Sequence, residues 1–249
     1  QGAKAQNYTL TRPKDGCTIM ALTESHLYTM ARGKSNMKIS DLVGVARAME
    51  EPTFVVVNAK NKELSTVKKM IKRAQKKPIS VAIASIGGTE HIGMYSYSKA
   101  ANIPFKAVSF GSGAQSLQAL ASGKVEASLL NPSEAAALIA DKKIKAIVLL
   151  HDKALADYPK VKTSYSMGHN VKVVTTRGYA VLKGTPQSVI DEISKGMVKA
   201  MKHETFGNYL KGASLDPATS PAGTKVWDKQ LKENYKKAAA ALKGLGLTK

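Results

Sequence analysis

Three turns rich in glycine and hydroxyl side chains are the places in this 249-residue chain where chemistry could reside. They are Thr23-Glu24-Ser25-His26 after residues 18–22, Ser85-Ile86-Gly87-Gly88-Thr89 after residues 79–84, and Gly111-Ser112-Gly113-Ala114 after residues 106–110. Each lies where a strand-like apolar run hands over to a helical pattern. In a parallel sheet such turns gather at the carboxyl ends of the strands, where open α/β folds bind ligands. Free backbone N–H groups at a helix start, together with small hydroxyls, make a seat for an anionic oxygen. Each helix end contributes about 0.3–2 kcal/mol towards a carboxylate or phosphate. Taken singly, each also reads as an ordinary turn that needs glycine.

Catalytic templates fail. No G-x-S-x-G elbow, G-x-x-x-x-G-K-[ST] loop or H-E-x-x-H helix occurs. The five histidines, His26, His91, His151, His169 and His203, never sit at metal-ligand spacing, so no metal site is expected. Glu90-His91 is the one pair that suggests acid/base work, and a histidine beside a helix start also serves as a hydrogen-bonding surface group. Gly87-Gly88 lacks the third glycine of a dinucleotide fingerprint, and no cofactor is expected. Cys17, the only cysteine, excludes a disulfide framework and a cysteine-based zinc site. After the Asp15-Gly16 turn it reads as a small core residue opening an apolar strand, not as a nucleophile.

The elements that must position these turns alternate between strand and helix, which favours α/β architecture over a sandwich or a bundle. Phe54-Val55-Val56-Val57 and residues 79–84, 125–130 and 144–150 read as strands. Leu64, Val67, Met70, Ile71 and Ala74 form one helical stripe, and residues 133–140 a short alanine-rich helix. Thr185-Pro186 is read as an N-cap and first helical position ahead of Val189, Ile190, Ile193, Met197 and Met201. Ser220-Pro221 repeats that signal before a last helix with Trp227, Leu231, Tyr235, Ala239 and Leu242 on one face, and Gly244 as its left-handed stop.

Lys and Arg number 38 against 18 Asp and Glu, a formal net charge of +20. Most of the cations are lysines, spread along the whole chain. The densest run, Lys68-Lys69 with Lys72-Arg73 and Lys76-Lys77, falls on the polar side of an amphipathic pattern. Aromatic content is only 6%, little for stacking bases, so a solvated surface is expected and no nucleic acid. Such a field concentrates anionic small molecules. Hydrophobic residues make up 43%, enough for a core, and no apolar run approaches the ~18 residues of a membrane span, so the chain reads as soluble. The sequence opens at Gln1-Gly2-Ala3 with a polar stretch and without a secretory leader, which has been removed or never existed.

Laid end to end, these segments resemble the substrate-binding proteins of the tripartite tricarboxylate transporter family. The matching runs are Asp15-Gly16-Cys17-Thr18-Ile19 (Cys in place of the family's Tyr), Thr23-Glu24-Ser25-His26, Phe54-Val55-Val56-Val57-Asn58 and Ser85-Ile86-Gly87-Gly88-Thr89-Glu90-His91. They continue with Phe110-Gly111-Ser112-Gly113-Ala114, Gly123-Lys124-Val125-Glu126, Ser133-Glu134-Ala135, Thr176-Arg177-Gly178 and Gly184-Thr185-Pro186. Order and spacing carry the likeness more than any one motif. The family's first βα unit, roughly 30 or more residues, precedes the point matching Gly2-Ala3. Its absence is read as a sequence that belongs to a longer polypeptide.

The resemblance implies a two-lobe, type II periplasmic-binding-protein-like α/β fold with two hinge crossover strands. By that analogy lobe one is residues 1–54 plus 184–249, lobe two is 60–172, and the crossings are about 54–58 and 173–182. It implies a monomeric periplasmic or membrane-anchored extracellular receptor, not an enzyme. The receptor would hold a small organic acid between the lobes (a di- or tricarboxylate, an amino acid or an aromatic carboxylate) and deliver it to membrane transporter subunits. The residues expected to touch ligand are Thr23 and Ser25, then Ser85, Gly87, Gly88 and Thr89, then Ser112, Gly113 and Asn131. Arg177 would pair with a carboxylate or form a hinge salt bridge, and His91 would donate to a ligand oxygen. A ligand sensor on the same scaffold and an enzyme using Glu90-His91 are the alternatives, since one scaffold hosts many functions.

Overall fold

Phe54-Val55-Val56-Val57 is apolar at every position because both faces of its strand are covered. The computed structural model, which describes residues 2–247, is an α/β chain built of short elements. In order they begin α1 (Ala3–Leu10), β1 (Met20–Thr23), α2 (Glu24–Ala31), β2 (Leu42–Pro52), β3 (Phe54–Asn58), α3 (Val67–Ala74), β4 (Ile79–Ile83), α4 (Thr89–Ala101) and β5 (Phe105–Ser109). They continue α5 (Gly113–Ala121), β6 (Ala127–Leu130), α6 (Pro132–Ala140), β7 (Ile144–Leu149), β8 (Val174–Leu182), α7 (Gln187–Met201), α8 (Glu204–Gly212), β9 (Ala222–Gly223) and α9 (Thr224–Gly244). The chain divides into two units, Gln1–Glu50 with Thr176–Lys249, and Glu51–Thr175.

The second unit carries a five-stranded sheet in the order β5-β4-β6-β3-β7. β4 runs parallel to β5 on one side and to β6 on the other, while β3 lies antiparallel between β6 and β7. The period-2 geometry of β3 sends Val55 and Val57 to one face, where they meet Ile79, Val81, Met70, Met94 and Tyr97. Phe54 and Val56 go to the other face, against Ala82, Leu120, Ala135 and Leu149. Burying each of these four side chains is worth about 1.5–3 kcal/mol. The stripe Leu64, Val67, Met70 and Ala74 is buried as its spacing predicts, and Lys68, Lys69 and Lys72 face solvent. Arg73 is held more tightly, between Glu63 and Glu126.

The first unit carries the sheet β1-β8-β2-β9. β1 pairs antiparallel with β8, placing Thr23 opposite Arg177. On one face Met20, Leu22, Leu27, Met30, Leu42 and Ala180 pack with Trp227 and Leu231 of α9. On the other, Val45 and Val181 pack with Ile190 of α7, and a further cluster joins Ala46 and Met49 to Met201 and Leu210. Trp227 is fully buried, and its Nε1 donates to the Tyr179 carbonyl at 3.0 Å. It lies so close to β2 and β8 that a Cβ on Gly44 would come within 2.8 Å of the ring and one on Gly178 within 2.6 Å.

The divisions between the units fall at Glu50/Glu51, on β2, and at Thr175/Thr176, on β8. Several expected element ends move. Thr185 does not cap α7: its Oγ1 donates to the Leu182 carbonyl at 2.8 Å, and Pro186 holds the N-cap position. Ser220 does not cap α9, because Ala222–Gly223 first pairs with β2 and delays the helix to Thr224. Gly244 stays helical, and the left-handed residue is Gly246. Ala238, not Ala239, completes the buried stripe of α9. Cys17 is exposed rather than in the core, since its strand begins only at Met20 and its N–H is turned onto the Asp15 carboxylate.

The Trp227 contact sets an expected outcome. Gly178→Ala forces a methyl against the indole and the Ala46 carbonyl, neither of which has space to yield, and should cost about 3 kcal/mol. Gly196→Ala, at an exposed position of α7 with open space around it, should gain up to about 1 kcal/mol. Urea midpoints at constant m-value measure both.

Candidate functional site

The strand order of the second unit leaves one place uncovered. The connections from β4 and β6 lead to helices on different sides, so the edge beyond Ile83 and Leu130 is a topological switch point. Three strand-to-helix turns meet there.

The first is Ser85–Thr89. Gly87 takes the left-handed conformation at φ 70°, and Gly88 is the N-cap of α4. The Gly88 N–H donates to the Ser85 carbonyl at 3.1 Å, and the Gly87 N–H donates to Nδ1 of His91 at 3.1 Å. His91 therefore spends its Nδ1 on shaping the turn. The first-turn N–H groups of α4 have no intrahelical acceptor. Thr89 is only 7% exposed, and its Oγ1 has no hydrogen-bond partner among the described residues.

The second turn is tied to the first. The Phe110 and Gly111 N–H groups donate to the carbonyls of Ile83 and Ala84, both at 3.0 Å. Ser112 is the N-cap of α5, its hydroxyl accepting from the Gln115 N–H at 3.2 Å. The third turn, Asn131-Pro132-Ser133-Glu134, is a capping box with proline in the first helical position of α6. The Asn131 N–H donates to Glu134 Oε2 at 3.0 Å, and the Ser133 N–H to Glu51 at 2.9 Å. The Asn131 amide donates to the Pro52 carbonyl at 2.9 Å and is spent on the scaffold. Oε1 of Glu134 would stand 3.1 Å from a Cβ on Gly113, so the α5 and α6 starts adjoin.

Between the first and third turns lies a recess of about 10 Å³, room for one water-sized group. Its polar wall is Thr53, Thr89, Glu90, Asn131, Glu134 and Thr175, and its apolar wall Leu129, Leu130 and Val173. Burial pushes the Glu90 carboxyl above its ordinary value, and the negative charge of Glu134 adds to the shift.

The structure thus brings Ser85, Gly87, Gly88, Thr89, His91, Ser112, Gly113 and Asn131 onto one unit. Thr23, Ser25 and Arg177 lie on the other. Thr23 is the N-cap of α2, with Ser25 in that helix's first turn. The Thr23 N–H donates to Nδ1 of His26 at 3.0 Å, and burial holds the His26 imidazole below its ordinary value.

Residue types alone named Glu90 only as half of an acid/base pair and gave Glu24 and Glu134 no ligand role. Glu24, beside Thr23, is buried, and burial pushes its carboxyl up to about 7. The Thr176 N–H and the Asn234 amide donate to its two oxygens, and the nearby charge of Glu50 raises it further. Glu134 was legible as the fourth residue of a capping box. The burial of Glu90 had no local signal.

The fold is that of type II periplasmic binding proteins. The chain matches the tripartite tricarboxylate transporter family receptor profile over residues 4–247 and belongs to that family. Among solved structures it is similar to MatC from Rhodopseudomonas palustris with bound malate (18% identity, 97% of this chain and 84% of that one, TM-score 0.84). It is also similar to an R. palustris protein with adipate (17%, 98% and 83%, TM-score 0.87). A solute-binding protein from Polaromonas without ligand aligns at 18% identity over 98% and 83%, with TM-score 0.78. No curated protein matches the chain in sequence.

Glu24 gives a pH prediction. Between its ordinary value of 4.5 and about 7 the folded chain keeps a proton that the unfolded chain releases. Its contribution is therefore present in full below about pH 4.5 and lost as pH rises through about 7, about 3 kcal/mol over the window. Unfolding free energies measured from pH 5 to 8 should show the wild type losing ground steadily to Glu24→Gln. Parallel curves would refute the assignment.

Proposed function

We propose that this chain is a periplasmic receptor that captures a small organic carboxylate and delivers it to the membrane subunits of a tripartite tricarboxylate-type transporter. The observation that carries the reading is the convergence of three strand-to-helix turns at the switch point of the second unit. Helix starts there offer backbone donors and a favourable dipole to an anionic oxygen. Thr23, Ser25 and Arg177 are proposed as the first unit's contribution. A +20 chain also raises the local concentration of anions. Membership of a receptor family and the malate and adipate in two similar structures support the ligand class.

A binding role fits the site better than catalysis. His91, the one candidate base, already accepts the Gly87 N–H through Nδ1. Among the described residues no group of three His, Cys, Asp or Glu stands ready to hold a metal, and no helix is long and apolar enough to cross a membrane.

A thermal-shift screen with citrate, malate, succinate, adipate and aspartate tests the reading. A ligand at 100 times its Kd should stabilise the chain by about 2.7 kcal/mol. If none of these acids moves the melting temperature, the receptor reading is wrong.

A further inference from the structure

The recess beside Thr89 has the wrong chemistry for a carboxylate. Of the 18 acids in a chain with 38 Lys and Arg, two, Glu90 and Glu134, line this one small space. Neither forms an ion pair with a Lys, Arg or His among the described residues. Helix starts explain part of this, because first-turn acids are favoured there and Glu134 Oε2 takes the Asn131 N–H. That accounting leaves over Glu134 Oε1, the Glu90 carboxylate and the Thr89 hydroxyl, which is more than nine-tenths buried without a partner. The Asn131 amide donates to the Pro52 carbonyl, and Glu51, itself an acceptor, takes the Ser133 N–H, so neither supplies them a donor.

We propose that the ligand carries a protonated amine as well as a carboxylate, and that its ammonium group seats in this recess against Glu90, Glu134 and Thr89. The inference deepens the receptor reading and rests on it. An ammonium has three N–H donors and no acceptor, one each for Glu134, Glu90 and Thr89, whose oxygens can all accept. It is close to water in size, so it suits a space of about 10 Å³, with the remainder of the ligand outside. It also offsets the repulsion between the two adjoining acids and the desolvation of the more buried one, Glu90. Burial and the charge of Glu134 both raise the Glu90 carboxyl, as expected for a group awaiting a positive partner. A bound metal ion is the poorer fit, as the recess supplies only two acidic residues.

Matched acids test it by calorimetry on the intact chain: aspartate against succinate, glutamate against glutarate, and 4-aminobutanoate against butanoate. In at least one pair the aminated acid should bind at least tenfold more tightly, and Glu90→Gln and Glu134→Gln should each bring that preference towards unity. Glu90→Gln leaves the α6 capping box intact, so it serves if Glu134→Gln proves unstable. Desamino acids binding as well as or better than their partners would overturn the amine while leaving the receptor reading standing. Silence from all six, and from the other carboxylates of the wider screen, would overturn both.

Discussion

The central constraint on the second unit is that β4 has parallel neighbours on both sides. Its ladder to β5 runs from Ile79 opposite Phe105 to Ile83 opposite Ser109, and its ladder to β6 pairs Val81 with Ala127. β4 connects outward through α4 to β5, and the chain then returns past β4 through α5 to β6, so these helices pack on opposite faces and leave a switch point between β4 and β6. The antiparallel β3 then completes the sheet by burying four consecutive apolar side chains. The position of the site is thus a consequence of strand order. Its chemistry is a separate matter, decided by the few residues after each strand.

Those residues divide into groups already committed to the scaffold and groups that are not. His91 is committed to Gly87, the Ser112 hydroxyl to Gln115, and the Asn131 amide to Pro52. Each satisfies a backbone group of its turn, and at the buried Asn131–Pro52 contact leaving that group unpaired would cost about 1–3 kcal/mol. They give the turns a single shape, which is what a receptor needs if binding is not to spend energy on ordering loops. Two kinds of capacity remain: first-turn N–H groups that attract negative charge, and acid oxygens that attract positive charge. The long-range field of the lysines is screened over about 8–10 Å, so at contact distance these local groups decide what is held.

Much of the architecture could be read from residue types alone. Strands 54–58, 79–83, 127–130 and 144–149 are legible because two-sided burial demands unbroken apolar runs. Two of the three turn tips are legible because positive φ at Gly87 and Gly111 calls for glycine. Element ends are not, and the reasons are tertiary. Thr185 and Ser220 carry good capping hydroxyls, yet one is drawn to Leu182 and the other precedes a two-residue pairing with β2. Cys17 has the composition of a core residue but sits three positions before its strand starts. The juxtaposition of the candidate site's acids was hidden for the same reason. Glu90 looks like any first-turn glutamate until Glu134, brought from a different turn, is placed beside it.

The first unit supplies a control for that argument. There too a strand runs into a helix, a glutamate opens the first turn, and a histidine in the third helical position accepts a backbone N–H: Glu24 and His26 with Thr23, as Glu90 and His91 with Gly87. Both glutamates are raised by burial. Their surroundings differ in one respect. Each oxygen of Glu24 already accepts a donor from its own unit, Thr176 on β8 and Asn234 on α9, so it ties the sheet to the last helix. Glu90 has no comparable donor from any other residue. A shifted carboxyl therefore marks burial in both places, and only the count of unmatched oxygens separates a structural acid from the one proposed to meet a ligand.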